Sequence, residues 1–175
     1  MKKSLFQPVV SVVIPAWNAE ATLDQQLEAL ALQEVGVPFE VIVADNGSSD
    51  CTCERALGWR ERFDAIGAEL RIIRAAERPG AGHARNAGAV AARGTYLAFV
   101  DADDVVAPGW LSAVMEALTT HPFIACRYET ATLNPPAVAA ATSPPQCHGL
   151  MAYAEPAYLP HAGGGGLAIH RKQHE

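Results

Sequence analysis

Tyr96-Leu-Ala-Phe-Val100, followed at once by Asp101-Ala-Asp103-Asp104, decides the reading of this chain. A short, continuous apolar run with aromatic and β-branched residues reads as a buried strand, so the carboxylates stand at a strand's carboxyl end. In open α/β sheets ligands bind in the crevice outside those ends. An Asp-x-Asp placed there can hold a divalent cation that in turn holds a diphosphate.

Three further apolar runs precede it, at 9–14, 39–44 and 70–73. Their spacing of about thirty residues is that of βαβ units. Between the first two, Leu23, Leu27 and Leu30 recur at helical spacing across 21–33, and Gly36 and Pro38 end the pattern. Ser49 or Asp50 can cap a second helix running on through Arg62, and the alanine-rich stretch 82–93 predicts a third. Pro108 suits a first helical turn, and Leu111, Val114, Met115 and Leu118 form one apolar stripe that Pro122 ends. Near-continuous apolar strands separated by helices predict an α/β fold, a mostly parallel sheet with helices on both faces. After Tyr128 the pattern changes: 134–145 is rich in Pro and Ala without clear period and is expected as a surface loop. A run of four glycines, Gly163 to Gly166, then leads into Leu167-Ala-Ile.

Half of the 175 residues are apolar, enough for a sizeable core in one domain, or one domain and part of a second. The net charge of −6 argues against a nucleic-acid partner, which calls for a basic face. Cys51, Cys53, Cys126 and Cys147 show neither a Cys-x-x-Cys pair nor zinc spacing; they are expected as free thiols in a reducing compartment, hence a cytoplasmic protein. The run 9–14 is interrupted by Ser11 and stopped by Pro15, so it suits a first strand better than a signal peptide.

Each chemical motif has a plain structural alternative. The acidic cluster is equally a solvated turn before a helix. It is not an EF-hand loop, because the sixth and twelfth positions from Asp101 are Val106 and Ser112 rather than Gly and Glu. Asp45-Asn-Gly-Ser-Ser-Asp50 reads as a tight turn with a helix cap, although Asp45, last in its strand, is also placed to accept hydrogen bonds from a base or ribose. The segment from Pro79 to Gly88 is a glycine-rich helix entry carrying Arg85 and Asn86. It fails the dinucleotide fingerprint, which needs Gly where Arg85 stands, but can bring a helix N-terminus and a guanidinium near a phosphate. The histidines form no metal-ligand pair, and there is no Gly-x-Ser-x-Gly elbow.

Taken in order, these segments resemble the GT-A glycosyltransferases, and within them family 2. Val-Val-Ile-Pro-Ala-Trp-Asn-Ala-Glu20 is similar to the opening strand and Pro-x-Tyr-Asn-x-Glu turn, with Trp17 in the aromatic place. Asp45-Asn-Gly-Ser-Ser-Asp50 resembles the Asp-Asp-Gly-Ser-x-Asp turn, Gly82-His-Ala-Arg-Asn-Ala-Gly88 the Ala-Arg-Asn-x-Gly helix, and Asp101-Ala-Asp103 the Asp-x-Asp motif. The glycine run with Leu167-Ala-Ile-His170 resembles the family's later glycine-rich segment more weakly.

The resemblance implies a nucleotide diphosphate sugar as donor, a UDP or GDP sugar, with Mn²⁺ or Mg²⁺ as cofactor, and transfer to an acceptor hydroxyl with inversion. Carried over, Pro15, Trp17, Asn18, Glu20 and Asp45 line the nucleoside pocket and Arg85 lies near it; Asp101 contacts the ribose or metal shell, and Asp103 is the direct metal ligand. It divides the chain into a nucleotide-sugar-binding GT-A core over 1–120 and an incomplete acceptor-side region over 121–175. The family's base is an acidic residue further along than this chain reaches, and Glu155 and Glu175, the only carboxylates after Glu129, stand in no matching context. The expectation is a C-terminally truncated form that holds the donor site and lacks the base. An apolar face left where further chain would pack favours a homo-oligomer. Two rival readings remain: a non-catalytic nucleotide-sugar-binding module, and a sugar-1-phosphate nucleotidyltransferase. The second lacks its glycine-rich basic start, since Pro15-Ala-Trp-Asn-Ala-Glu20 stands there.

Overall fold

The computed structural model describes residues 6–141 and 165–173. Strand β1 (Val10–Ala16) is buried along its whole length. It pairs in parallel with β2 (Phe39–Asp45) on one side, from Val10 opposite Phe39 to Ala16 opposite Asp45, and with β4 (Tyr96–Phe99) on the other, from Val10 opposite Tyr96 to Val13 opposite Phe99. Strand β3 (Glu69–Arg74) adds in parallel outside β2. The chain therefore builds outward to β3 and returns beyond β1 to place β4, which makes the β1/β4 boundary the switch point where a ligand crevice opens.

The last two strands make the sheet mixed. Strand β6 (Leu167–His170) lies antiparallel beside β4, and β5 (Phe123–Ala125) is antiparallel outside it, giving the order β3-β2-β1-β4-β6-β5. Leu167-Ala-Ile, a short apolar segment by sequence, is thus an inner strand.

Alternation along β1 divides the core into two layers. Val10, Val12, Ile14 and Ala16 face helix α1 (Leu23–Ala31), whose Leu23, Leu27 and Leu30 are wholly buried, with Phe63 of α3 (Arg60–Ala65) and Leu111 and Val114 of α5 (Trp110–Ala117) in the same layer. Each such fully buried side chain contributes about 1.5–3 kcal/mol. Val13 and Ile42 face the opposite layer, formed by α4 (Ala81–Ala91). That helix rides close because its contact positions are Ala and Gly; a β-carbon at Gly88 would overlap Val13 Cγ1.

Two local expectations differ from what is observed. The helix expected to run through Arg62 breaks into α2 (Thr52–Gly58) and α3. Low-propensity Gly58 lies at the break, and the Trp59 indole N–H is drawn to Asp24 of α1 at 2.8 Å. Within the expected loop 134–145, residues Pro136–Ala141 form an exposed helix α6. Pro136 is preorganised for a first turn and the alanines behind it have the highest helix propensity. Residues 142–145 of that stretch, Cys147, Glu155, Gly163, Gly164 and Glu175 lie outside the described residues. Among the described residues, no helix is long and apolar enough to cross a membrane.

Candidate nucleotide-sugar site at the strand ends

The loops after β1 and β2 hold each other. Asn18 takes a φ of +50°, which Asn tolerates better than most residues. From there its Oδ1 accepts the Ser49 N–H at 2.9 Å, while its own N–H donates to Ser48 Oγ at 2.9 Å. Ala19 N–H donates to Thr52 Oγ1 at 2.7 Å, Glu20 N–H to Asp50 Oδ2 at 3.1 Å, and Cys51 N–H to Glu20 Oε2 at 2.9 Å. Asp45, nearly buried, accepts the N–H groups of Gly47 and Ser48 at 3.3 and 3.1 Å, closing its own turn. Asn18 and Glu20 thus brace the two loops, while Asp45 shapes the second from within. Each carboxylate keeps lone pairs for a further donor.

Beside the brace, a cleft of about 420 Å³ opens between Pro15, Trp17, Asn46, Pro79, Gly80 and Ala84. Among the described residues, no charged side chain lines it. Trp17 is 67% exposed, a large aromatic face left to solvent at the end of an otherwise buried strand. Such a wall suits a flat apolar face such as a base.

Helix α4 connects the cleft to the acidic cluster. Ala81 and Ala84 line the cleft, and one residue on, Arg85 Nη2 pairs with Asp101 Oδ1. Arg85 Nε is buried without a hydrogen-bond partner among the described residues. An orphaned buried donor costs about 1–3 kcal/mol, which an anionic ligand would offset. Asp103 is exposed and Asp104 half-buried. Burial, and after it the charges of Asp101 and Asp103, push the Asp104 carboxyl up to about 6.

Gly165 and Gly166, just ahead of β6, reach this cluster. A β-carbon at Gly165 would stand 2.8 Å from Asp101 Oδ2 and closer still to the Tyr128 hydroxyl, so a side chain there would have to displace both groups. Burial, then Asp104 and Asp101, raise the Tyr128 phenol well above its ordinary value, leaving it a protonated donor at neutral pH. Tyr128 also lines a second cavity of about 380 Å³ with Asp104, Trp110 and Cys126. No sequence signal singled out Tyr128; the departure of Asn46 from the Asp-Asp-Gly-Ser-x-Asp pattern was a signal for that residue, and the glycine run was the pointer to Gly165.

The donor set fits an open cation site better than a closed one. Among the described residues, no group of three or more His, Cys, Asp or Glu side chains is arranged to hold an ion. Mg²⁺, by contrast, is commonly held through one or two carboxylates with phosphate oxygens and water completing the shell. Asp103 with Asp101 or Asp104 could supply such hard oxygens; burial is the main cause that lifts Asp104, and the repulsion from Asp101 and Asp103 that adds to it is what a cation would relieve.

Similarity to known proteins agrees with this geometry. The chain is 36% identical over 112 residues to the uncharacterized glycosyltransferase EpsJ of Bacillus subtilis, covering 64% of this chain and 30% of that protein. Its fold matches S. aureus TarS 1–349 in complex with UDP-GlcNAc (TM-score 0.60, 25% identity, 73% of this chain and 36% of that one). It also matches the mannosyltransferase PcManGT from Pyrobaculum calidifontis in complex with GDP-Man and Mn²⁺ (TM-score 0.60, 26% identity, 70% and 36%). The chain spans about a third of the length of these relatives. The family model described as glycosyl transferase family 2 matches residues 11–170; with the GT-A sheet and the strand-end site, the chain belongs to glycosyl transferase family 2.

Proposed function

We propose that this chain is the donor-binding part of a glycosyltransferase that takes a UDP or GDP sugar with Mn²⁺ or Mg²⁺ and transfers the sugar to an acceptor hydroxyl with inversion. The observation that carries the reading is the continuity of the site: an uncharged aromatic cleft, then a guanidinium with an unsatisfied donor, then three carboxylates, all along the strand ends. A base, a diphosphate and a cation succeed one another in that order along a nucleotide sugar. The bound ligands named for TarS and PcManGT, UDP-GlcNAc and GDP-Man with Mn²⁺, support the same class.

In this reading the base lies on Trp17 between Pro15 and Pro79. Asn18, Glu20 and Asp45 hold the nucleoside end of the pocket, and Asp45 offers its remaining lone pair to a base or ribose donor. Arg85 orients Asp101 through their ion pair, and its free Nε donates toward the diphosphate. Asp101 faces the ribose or the metal shell, and Asp103 is the direct ligand of the cation. When bound, the cation supplies Lewis-acid stabilisation of the departing nucleoside diphosphate. The sugar–phosphate bond breaks with its electron pair going to the phosphate oxygen, while the acceptor oxygen attacks the opposite face and gives up its proton to a base. Residues 1–120 form the donor core, and 121–175 belong to the acceptor side.

Asp103→Asn is the direct test. It removes one charge from an exposed position and should abolish metal-dependent nucleotide binding while leaving thermal unfolding unchanged. Unaltered metal-dependent affinity would sink the assignment.

A further inference from the structure

Asn46 stands where the Asp-Asp-Gly-Ser-x-Asp pattern has its second Asp, and its side chain does something a carboxylate cannot. Nδ2 donates to the Ala75 carbonyl and, at 2.8 Å, to the Arg78 carbonyl, while Oδ1 accepts the Gly80 N–H at 2.7 Å. Two carbonyls need donors and one N–H needs an acceptor. A carboxamide offers both, whereas ionised aspartate offers acceptors alone.

All three partners lie on the loop 75–80, which carries Pro79 and Gly80 into the cleft and then starts α4. Gly80 holds a φ of +117°, a conformation open to glycine and few others. The loop is otherwise tied to β2 by Ala75 N–H, which donates to the Asp45 carbonyl at 2.7 Å. Asn46 itself is anchored by its N–H to the Ala16 carbonyl at 2.8 Å, beside Pro15 and Trp17. One residue, through its backbone N–H on one side and its side chain on the other, therefore links the Trp17 wall of the cleft to the Pro79–Gly80 wall.

We infer that Asn46 is a positioning residue for the nucleobase: it clamps loop 75–80 and so sets the width of the cleft in which the base is selected. This rests on the donor-site reading above. Asn46→Asp replaces two donors by a charge facing two carbonyl oxygens, and the far wall swings loose. Asn46→Ala removes the same three hydrogen bonds without adding charge.

The test titrates UDP and GDP with Mn²⁺ into the wild-type chain and both variants, and follows amide hydrogen exchange across the loop and the start of α4. Losing these bonds should weaken binding of the preferred nucleotide about tenfold or more, erode the preference between UDP and GDP, and speed loop exchange by a similar factor. Relative to wild type, Asn46→Asp should regain part of its affinity below about pH 4, where a protonated carboxyl again donates one hydrogen bond. Wild-type affinity and selectivity in a folded variant would overturn the inference, as would weakened binding with unchanged loop exchange. If the wild-type chain binds neither nucleotide, the donor-site reading fails; loop exchange then reads the clamp alone, faster exchange supporting it and unchanged exchange refuting it. Where Asn46→Asp fails to fold, Asn46→Ala carries the test. Unfolding of both variants would make Asn46 a residue of the fold and overturn its role at the cleft.

Discussion

Replacing Glu40 by Ala should be the most damaging single change away from the site. Its carboxylate, fully buried on β2, accepts Ser11 Oγ–H and Arg93 N–H at 2.7 Å each on Oε1. Oε2 accepts Arg71 Nη1 at 3.0 Å and Arg93 Nε and Nη2 at 3.1 and 2.8 Å. One side chain thus ties β1, β2, β3 and the turn into β4, the four parallel strands whose far ends carry the site. Removing one member of a buried ion pair costs about 3–5 kcal/mol. Arg71 and Arg93 are 28% and 41% exposed, so part of each guanidinium can return to water, and the main donors left without an acceptor are the buried Ser11 O–H, whose oxygen still accepts the Gly94 N–H, and the part-buried Arg93 N–H. About 3–4 kcal/mol is expected, or roughly 6–16 °C in melting temperature for a chain of this size.

Urea denaturation reads this as a lowered midpoint at unchanged slope. The pH dependence supplies a second signature. Burial raises the Glu40 carboxyl, but the hydrogen bonds from Ser11, the Arg93 amide, Arg71 and the Arg93 guanidinium outweigh it and hold it below the ordinary value. A depressed carboxyl stabilises the fold fully above the unfolded value, and this is lost as pH falls through the folded one. The gap between wild type and Glu40→Ala should therefore hold from neutrality to about pH 5 and close below about pH 4. A gap under about 1 kcal/mol at neutral pH, against the 3–5 of a buried pair, would refute the reasoning.

Two further changes separate the site from the fold. Trp17→Ala should weaken nucleotide binding by about 1–3 kcal/mol, the worth of base–aromatic stacking, or roughly 5- to 150-fold, yet leave melting unchanged because the side chain is 67% exposed; calorimetry beside thermal unfolding measures both. Gly88→Ala drives a β-carbon onto Val13 Cγ1 and should destabilise by about 1–3 kcal/mol, part of which Val13→Ala in the same chain should restore in urea titrations.

Much of this architecture is legible because it rests on local pattern. The apolar runs over β1, β2 and β4 are buried on both faces, and the leucine spacing of α1 matches the face it buries. The position of β6 is not legible: four residues of Leu-Ala-Ile-His do not say that their partners are β4 and β5. At the site, sequence places Asp45, Asn18 and Glu20 near the strand ends but not the direction of their side chains, which turn to backbone N–H groups of the neighbouring turns. The Arg85–Asp101 pair and the approach of Tyr128 to Gly165 join separate motifs through tertiary packing alone, and no spacing rule carries that information.

The most direct measurement is calorimetric titration of UDP and GDP into the purified chain, first with Mn²⁺ and then with EDTA. The donor-site account predicts binding of one nucleotide that depends on the metal. Absence of binding for both in Mn²⁺, or equal binding in EDTA, would contradict it.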